Sequence, residues 1–201
     1  MTSTPRMCCP EPMINVEAFR DQPELRGERV VLKQVDETYA DDYWRLLHDP
    51  EAIRLTGTHE VPARAEIEPW LAGKPGRDDR ADWAILLAGD DTDGAFLGEV
   101  VLNEVDQHNE SANFRIALTG PLAFGQGYGS EATSLVLDFA FSDAGLHRVA
   151  LEVFDFNPRA RRVYERCGFV TEGIRRDALR WDGTWHDAIA MSVLATDLPL
   201  R

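Results

Sequence analysis

The sequence predicts one α/β domain of the α+β kind, with a mixed, mostly antiparallel sheet of about six to seven strands flanked by about four helices. Three observations support this prediction. The 201 residues are 44% hydrophobic and 28% charged, which is typical of a globular protein. Apolar residues recur with strand periodicity in some stretches and with helical periodicity in others. Glycine-rich and polar turns separate these stretches, and we find no internal repeat and no second domain boundary.

The domain is predicted to begin near residue 26. Residues 1–25 are rich in proline and polar side chains, so we expect a loosely ordered N-terminal tail there, with one short helical turn at most, over Met13–Phe19. The domain then covers residues 26–201. Its first strand is predicted over residues 29–35, where β-branched residues accumulate.

Four stretches have the spacing of amphipathic helices. Asp36 is a typical N-cap for the first, and Gly73 is a typical stop for the second. Asp49-Pro50 and Gly57 are interpreted as breaks between these two helices. The predicted helices cover residues 39–47, 63–71, 130–142 and 158–166.

Further strands are predicted where apolar residues alternate or accumulate between turns. Two of the turns are polar hairpin loops, at residues 106–110 and 181–184. The strands cover residues 83–88, 96–105, 113–118, 148–154, 169–174 and 185–194.

The composition argues against several classes of protein. A net charge of −14 and a pI near 4.7 oppose non-specific nucleic-acid binding, which needs excess lysine and arginine. No apolar run approaches the roughly 20 residues of a membrane helix, so no membrane partner is expected. Three cysteines (Cys8, Cys9 and Cys167) without metal-ligand spacing indicate reduced thiols in a cytoplasmic protein and no metal site.

A glycine-rich loop carries the first chemical signal. Residues 124–132 read FGQGYGSEA and connect a predicted strand to a predicted helix. Alternate glycines permit a tight turn and leave successive N–H groups uncovered at the positive end of a helix, which favours phosphate oxygens. The loop differs from the nucleotide P-loop, because no Lys-Ser/Thr pair follows the last glycine.

A second motif, about thirty residues later, is consistent with an anionic ligand. Residues 157–169 read NPRARRVYERCGF, in which Asn157 can cap a helix and Gly168 can end it. Tyr164 lies two helical turns after Asn157 and so on nearly the same face. Residues 148–180 have a net charge of +3, although the whole chain is acidic.

Together, these two motifs resemble those of the GNAT acetyltransferases. The resemblance covers about residues 27–196 in element order and is greatest to the ribosomal-protein N-terminal (alanine/serine) acetyltransferase subgroup. It implies acetyl-CoA as the acyl donor, with the pyrophosphate held by the glycine loop and the pantetheine arm paired to the preceding strand. Asn157 would bond the pantetheine region, and Arg159 or Arg162 would meet the adenosine phosphates. The implied donor-binding residues of the loop and the strand are Gly125, Gln126, Gly127, Tyr128, Gly129 and Ser130, with Ile116, Ala117 and Leu118.

The sequence departs from the family pattern at two positions. Phe124 stands where the family usually has glutamine or arginine, which removes one side-chain contact but leaves the backbone cradle. Asn113 occupies the position of a frequent glutamate, so the general base must be sought elsewhere.

The resemblance implies that Tyr164 lies near the thioester sulfur, where its phenol can protonate the departing thiolate. A base must accept the amine's proton from the opposite side. Glu104, Glu99 and Asp106 are candidates, and we choose Glu104; a chain of waters would serve the same purpose.

The acceptor is predicted to be a primary amine, either a protein N-terminus or a small cationic amine such as a polyamine. The acidic charge outside the arginine-rich segment favours such a partner. Trp181, Trp185 and His186, with Tyr43 and Trp44, are candidates for its pocket. An alternative function is a catalytically silent sensor or interaction module that binds CoA or acyl-CoA. The oligomeric state, monomer or homodimer, stays open.

Overall fold

The computed structural model describes residues 14–89, 94–120 and 123–197 as a single sheet with helices on both faces. The eight strands lie in the order β1-β2-β3-β4-β5-β6-β8-β7. They are β1 (Leu25–Arg26), β2 (Val30–Gln34), β3 (Ala81–Leu87), β4 (Phe96–Asp106), β5 (Ser111–Leu118), β6 (Arg148–Phe154), β7 (Val170–Trp181) and β8 (Thr184–Leu194). The helices are α1 (Val16–Asp21), α2 (Ala40–Leu47), α3 (Pro50–Thr56), α4 (Arg64–Ala72), α5 (Tyr128–Asp138) and α6 (Pro158–Arg166).

The sheet is antiparallel except at its centre, where β5 and β6 run parallel. This pair is short: only Ser111, Ala112 and Asn113 of β5 have partners on β6. Beyond Asn113, β5 stays paired with β4 and β6 stays paired with β8, so the two parallel strands separate. The sheet is thus split open along part of its middle.

The core lies on both faces of the sheet, as the alternation of β3 demonstrates. Trp83 and Ile85 pack with α5 in a large cluster that also contains Phe139. Ala84 and Leu86 point the other way, into a smaller cluster with α2 and α4. No helix in the described parts of the chain is long and apolar enough to cross a membrane.

The predicted class, a mixed and mostly antiparallel sheet, is confirmed, but the described residues contain more elements than predicted: eight strands and six helices. One missed element is α3. The prediction interprets Asp49-Pro50 and Gly57 as breaks, whereas Asp49 is the N-cap of α3, Pro50 is its first residue and Gly57 is its left-handed C-cap. The same residues therefore delimit a short helix, because proline is well tolerated at the first helical position.

The N-terminal tail prediction falls partly outside the described residues, since the structure describes nothing before residue 14. Residues 14–25, assigned to the same tail, instead contain α1 and begin β1. Phe19 of α1 is buried, with its ring edge-on to Phe139 at 5.9 Å between centroids. β7 also extends seven residues beyond the predicted end at Ile174, although most of it is exposed.

Candidate functional site

A cavity of about 1040 Å³ occupies the gap where β5 and β6 separate. Its walls are β5 from Asn113 to Leu118, the end of β6, one side each of α5 and α6, and one side of α3. The volume is at the upper end of the range for small-molecule and cofactor sites. Because the facing edges of β5 and β6 are not paired with each other, main-chain groups there are available to a ligand.

The glycine loop forms one end of this cavity. Gly125 and Gly127 both have positive φ, +75° and +87°, and Gly127 is the N-cap of α5. The N–H groups of residues 125–130 donate to no described residue, and the first main-chain bond of α5 runs from Glu131 N to Gly127 O. A row of free donors at a helix N-terminus is a ready anion site.

Arg29, the residue before β2, contacts this loop through both its side chain and its main chain. Its Nη1 donates to Gln126 O at 3.1 Å, and its main-chain N–H donates to Glu131 Oε1 at 3.0 Å. A Cβ on Gly127 would lie 2.4 Å from Arg29 Nη1, so the space between loop and guanidinium is filled. Arg29 also lines the cavity and therefore adds a positive charge near the free N–H groups.

The predicted motif of α6 forms the opposite wall. Asn157 Oδ1 accepts from Ala160 N at 3.1 Å, which confirms the predicted cap. The cap leaves the Asn157 amide NH₂ available to the cavity that this residue lines. Gly168, with φ of +97°, follows the helix end as expected.

Tyr164 is a buried residue of this wall. Its ring packs edge-on against Phe114 and Phe169, at centroid distances of 6.2 and 5.8 Å. The residue is 7% exposed and lines the cavity, and its hydroxyl has no hydrogen-bond partner among the described residues. Burial raises the pKa of Tyr164 well above the ordinary value for a phenol. The phenol is therefore protonated throughout the physiological range and can act as a proton donor.

Phe124, the residue that departs from the family pattern, supports an arginine. The Arg159 guanidinium lies over its ring at 3.8 Å from the centroid. Arg159 also pairs with Glu51 of α3 at 3.3 Å, and both Phe124 and Arg159 line the cavity. The stack therefore places a positive charge beside the glycine loop, although residue 124 itself carries none.

α3 bridges the two sides of the gap. At its N-terminus, Asp49 Oδ2 accepts from the main chain of Gly120 at 3.0 Å, just after β5. One residue into the helix, Glu51 pairs with Arg159 of α6. Ala52, Leu55 and Thr56 of α3 line the cavity between these two attachments.

Glu104 lines the cavity from an irregular part of β4. The register between β4 and β5 shifts after Asn103, and Glu104 has φ of +53°, in the left-handed region that disfavours residues with a Cβ. Such strain is often found at functional sites. Asn113, in the place of the family's glutamate, donates from Nδ2 to Asn103 Oδ1 at 3.1 Å.

Most of the predicted site residues line this one cavity. They are Glu104, Ile116, Ala117, Leu118, Gly125, Gly127, Gly129, Ser130, Asn157, Arg159 and Tyr164. Side chains of Gln126, Tyr128 and Arg162 are not part of the lining. Two arginines of the lining, Arg29 and Arg166, were not predicted. Arg29 lies about 100 residues before the loop, and no local pattern distinguishes either arginine from other surface arginines.

The aromatic residues proposed for the acceptor pocket are not in the cavity. Tyr43 is fully buried in the smaller core, and Trp44 packs on His48 at 3.7 Å. Trp181 stacks with His59 at 5.3 Å, and Trp185 is mostly exposed. His186 contacts Asp155 at 3.2 Å. These ring contacts are typical of core and surface packing. For Tyr43 and Trp44, the structure therefore does not support the prediction that they line the acceptor pocket.

Three arginines of the arginine-rich segment form ion pairs with acids of the same segment. Arg148 pairs bidentately with Glu172, which lowers the pKa of that glutamate to about 2. Arg161 pairs with Glu165, and Arg175 pairs with Glu152. Arg159, Arg166 and Arg175 are the arginines of this segment that reach the cavity.

Comparison with known proteins identifies related chains. Residues 29–170 match the family model described as an acetyltransferase (GNAT) domain. A spermidine N(1)-acetyltransferase of Vibrio cholerae is 32% identical over 105 residues, which are 52% of this chain and 60% of that enzyme. A probable N-acetyltransferase of Bacillus subtilis, YjcK, is 31% identical over 158 residues, 79% of this chain and 77% of that protein.

A solved structure, that of spermidine N-acetyltransferase from Vibrio cholerae in complex with CoA and spermine, is similar with a TM-score of 0.77. The match has 22% identity and covers 85% of this chain and 98% of that chain, which establishes a shared fold. Another match carries a ribosomal acetyltransferase name. Relatives of both kinds are present, so the predicted ribosomal subgroup is not confirmed.

Proposed function

The chain belongs to the GNAT acetyltransferase family, whose members take an acetyl group from acetyl-CoA, and from this premise we propose that it acetylates a primary amine. The observation that carries the proposal is the cavity between β5 and β6, which has at one end loop N–H groups that donate to no described residue, and in its wall the buried phenol of Tyr164. One cavity therefore offers both an anion site and a proton donor.

Acetyl-CoA binds with its pyrophosphate on the N–H groups of residues 125–130, where Arg29 and Arg159 add positive charge. Hydrogen bonds of this charge-assisted kind are stronger than those between neutral groups. The pantetheine arm lies along residues 116–118 and satisfies the main-chain groups that β6 leaves unpaired. This is strand addition to an open sheet edge. The amide NH₂ of Asn157 donates to a carbonyl of the same arm.

The thioester then lies between Tyr164 and the opposite side of the cavity. The amine nitrogen attacks the thioester carbonyl carbon directly in the ternary complex. The C–S bond breaks as the C–N bond forms, and the phenol proton of Tyr164 passes to the thiolate sulfur. Glu104 accepts the proton that the amine loses, and the phenol is reprotonated from solvent before the next turnover.

The names of the relatives favour a small amine acceptor, because a spermidine acetyltransferase is among them. The matched part of that enzyme is 60% of its length, so the acceptor does not follow from the match. The proposed acceptor is therefore a primary amine, on a small molecule or at a peptide N-terminus, that enters on the α3 side of the sheet.

The direct test is acetyl-CoA turnover, read as free thiol, with a panel of primary amines that includes polyamines, amino acids and short peptides. We expect amine-dependent thiol release with at least one member and formation of the N-acetyl product by mass spectrometry. Calorimetry with CoA alone should show saturable binding. Binding without turnover on any amine would contradict the enzyme and favour an acyl-CoA sensor.

Glu104 is predicted to have separable effects on activity and stability. Glu104→Gln should lower kcat/KM for the amine by about 10–100-fold, as expected for loss of a general base. Glu104→Gly should lose the same activity but melt at a higher temperature than Glu104→Gln. Removing the Cβ at positive φ relieves about 1–2 kcal/mol of strain, which exceeds the roughly 0.5–1 kcal/mol entropic cost of glycine.

Glu110 provides the matched control, because it also has positive φ, +48°, and does not line the cavity. Glu110→Gly should raise the melting temperature without changing kcat/KM. Full activity in Glu104→Gln would assign proton removal to water.

Arg159 is predicted to be the arginine that binds the phosphates of the donor. Arg159→Gln should raise the Kd of CoA about 10-fold, because a hydrogen bond to a charged group contributes about 1.5–3 kcal/mol. Phe124→Leu should raise it about 2–5-fold, because the stack contributes about 0.5–1 kcal/mol. Calorimetry at low and moderate salt measures both effects. A larger effect of Arg162→Gln than of Arg159→Gln would reverse the assignment.

A further inference from the structure

On the neighbouring strands β4 and β5, two oppositely charged side chains line the cavity without a partner among the described residues. They are Glu104 of β4 and Arg115 of β5. Of the other charges of the wall, Glu152 pairs with Arg175 and Arg29 with Glu131, whereas Glu28, the neighbour of Arg29, has no partner among the described residues. Both side chains are exposed, Glu104 and Arg115 alike, so each is accessible to a ligand group of opposite charge.

Arg115 faces the α3 side of the sheet. Its neighbours on β5, Phe114 and Ile116, point to the opposite face: Phe114 contacts Tyr164, and Ile116 approaches Gly129 of α5. Because side chains alternate along a strand, Arg115 points away from α5 and α6. Under the proposed function this is the side from which the acceptor amine enters.

The spacing between the two charges corresponds to a small molecule. Arg115 lies opposite Val101 in the register, and Glu104 is three residues further along β4. Three residues of strand are about 10 Å. Both residues line the same cavity and have long side chains, so an acceptor a few bonds in length can contact both.

We propose that the acceptor is an amino carboxylate, an amine with a carboxylate a few bonds away, as in an amino acid or a short acidic peptide. The inference rests on the proposed function and concerns the acceptor of that same site. Glu104 binds the ammonium, which releases one proton to solvent and then passes the second to Glu104 as the amine attacks, and Arg115 binds the carboxylate in a bidentate manner.

A polyamine fits this arrangement less well. Among the acids of the described wall, Glu152 is engaged by Arg175 and Glu28 lies next to Arg29 at the donor end, which leaves Glu104 as the acid near Arg115. A second ammonium group would lie near the unpaired guanidinium of Arg115. Like charges in a partly enclosed cavity repel each other more strongly than they do in water.

Matched acceptor pairs test this inference by steady-state kinetics. One pair is 4-aminobutyrate and its amide, a second is the dipeptide amides Ala-Glu and Ala-Gln, and spermidine is the polycation. The first pair represents free amino acids, and the second represents peptides. We expect at least one carboxylate member to exceed its neutral partner in kcat/KM by about 10-fold or more, and also to exceed spermidine.

Variants at Arg115 connect the preference to this residue. Arg115→Gln should reduce the preference to within about twofold, and Arg115→Lys should keep part of it, with the KM of acetyl-CoA unchanged in both. Arg115→Glu should shift the preference toward spermidine. Arg176→Gln, an exposed arginine of β7 outside the cavity, should behave as wild type.

Three results would overturn the inference, each in a distinct way. A preference for spermidine that Arg115→Gln does not change would leave an acetyltransferase of another acceptor class. A rise in the KM of acetyl-CoA in Arg115→Gln, with acceptor preference unchanged, would place Arg115 in the donor site. Absence of turnover by the wild type with every amine would refute the proposed function itself.

Discussion

Replacing Tyr164 with phenylalanine is expected to lower kcat by about 100–1000-fold while the Kd of acetyl-CoA stays within about twofold of wild type. The change deletes one oxygen from a buried ring that packs against Phe114 and Phe169, so the packing is retained. General acid catalysis contributes about 10²–10⁴-fold, and the departing thiolate loses its proton donor. Stopped-flow or coupled thiol assays measure kcat, and calorimetry measures the Kd.

The pH profile adds a second criterion for Tyr164. An acid is active in its protonated form, so its contribution to kcat falls only as the pH rises through its pKa. Because burial raises the pKa of Tyr164, the alkaline limb due to this phenol must lie above pH 10. A decline in kcat of the wild type near pH 8–9 that disappears in Tyr164→Phe would contradict this assignment. Tyr128→Phe, in the first turn of α5, is the comparison for a tyrosine whose ring is outside the cavity.

The sequence was sufficient to predict elements whose signals are local. The bounds of β6 and α6 agree with the prediction, because proline, asparagine and glycine mark both ends of α6 in the chain itself. The turn at Asp182 and Gly183, with φ of +46° and +82°, is similarly local. The glycine loop was found for the same reason, since its function depends on consecutive backbone positions.

Features that depend on long-range contacts could not be predicted. The cavity exists because β5 and β6 separate after three paired residues, and no sequence pattern encodes where a parallel pair ends. Arg29 contacts Gln126 across 97 positions, and Glu51 contacts Arg159 across 108. Phe124 departs from the family pattern because it carries no polar group, but in the fold the guanidinium of Arg159 stacks on its ring and supplies a charge there. The sequence alone does not predict this contact.

Replacing Gly127 with alanine is expected to weaken CoA binding by about 100-fold. The residue has φ of +87°, and an added Cβ would lie 2.4 Å from Arg29 Nη1. The loop must then move, or the guanidinium must leave Gln126 O, and either change disturbs the row of N–H donors that the proposal assigns to the pyrophosphate. Loss of one or two charge-assisted bonds at about 1.5–3 kcal/mol each accounts for the effect.

Gly125 separates the steric cause from the backbone cause. It has a similar φ of +75°, but an added Cβ there would meet nothing within 4 Å. Gly125→Ala therefore carries only the backbone strain, about 1–2 kcal/mol, and should weaken CoA binding less than Gly127→Ala at a comparable melting temperature. Gly173→Ala in β7, with open space and no positive φ, should change neither quantity. The collision in Gly127→Ala is with the Arg29 side chain alone, so adding Arg29→Ala to Gly127→Ala should restore part of the affinity for CoA. Equal affinities of Gly125→Ala and Gly127→Ala for CoA would mean that the Arg29 contact does not shape the donor site.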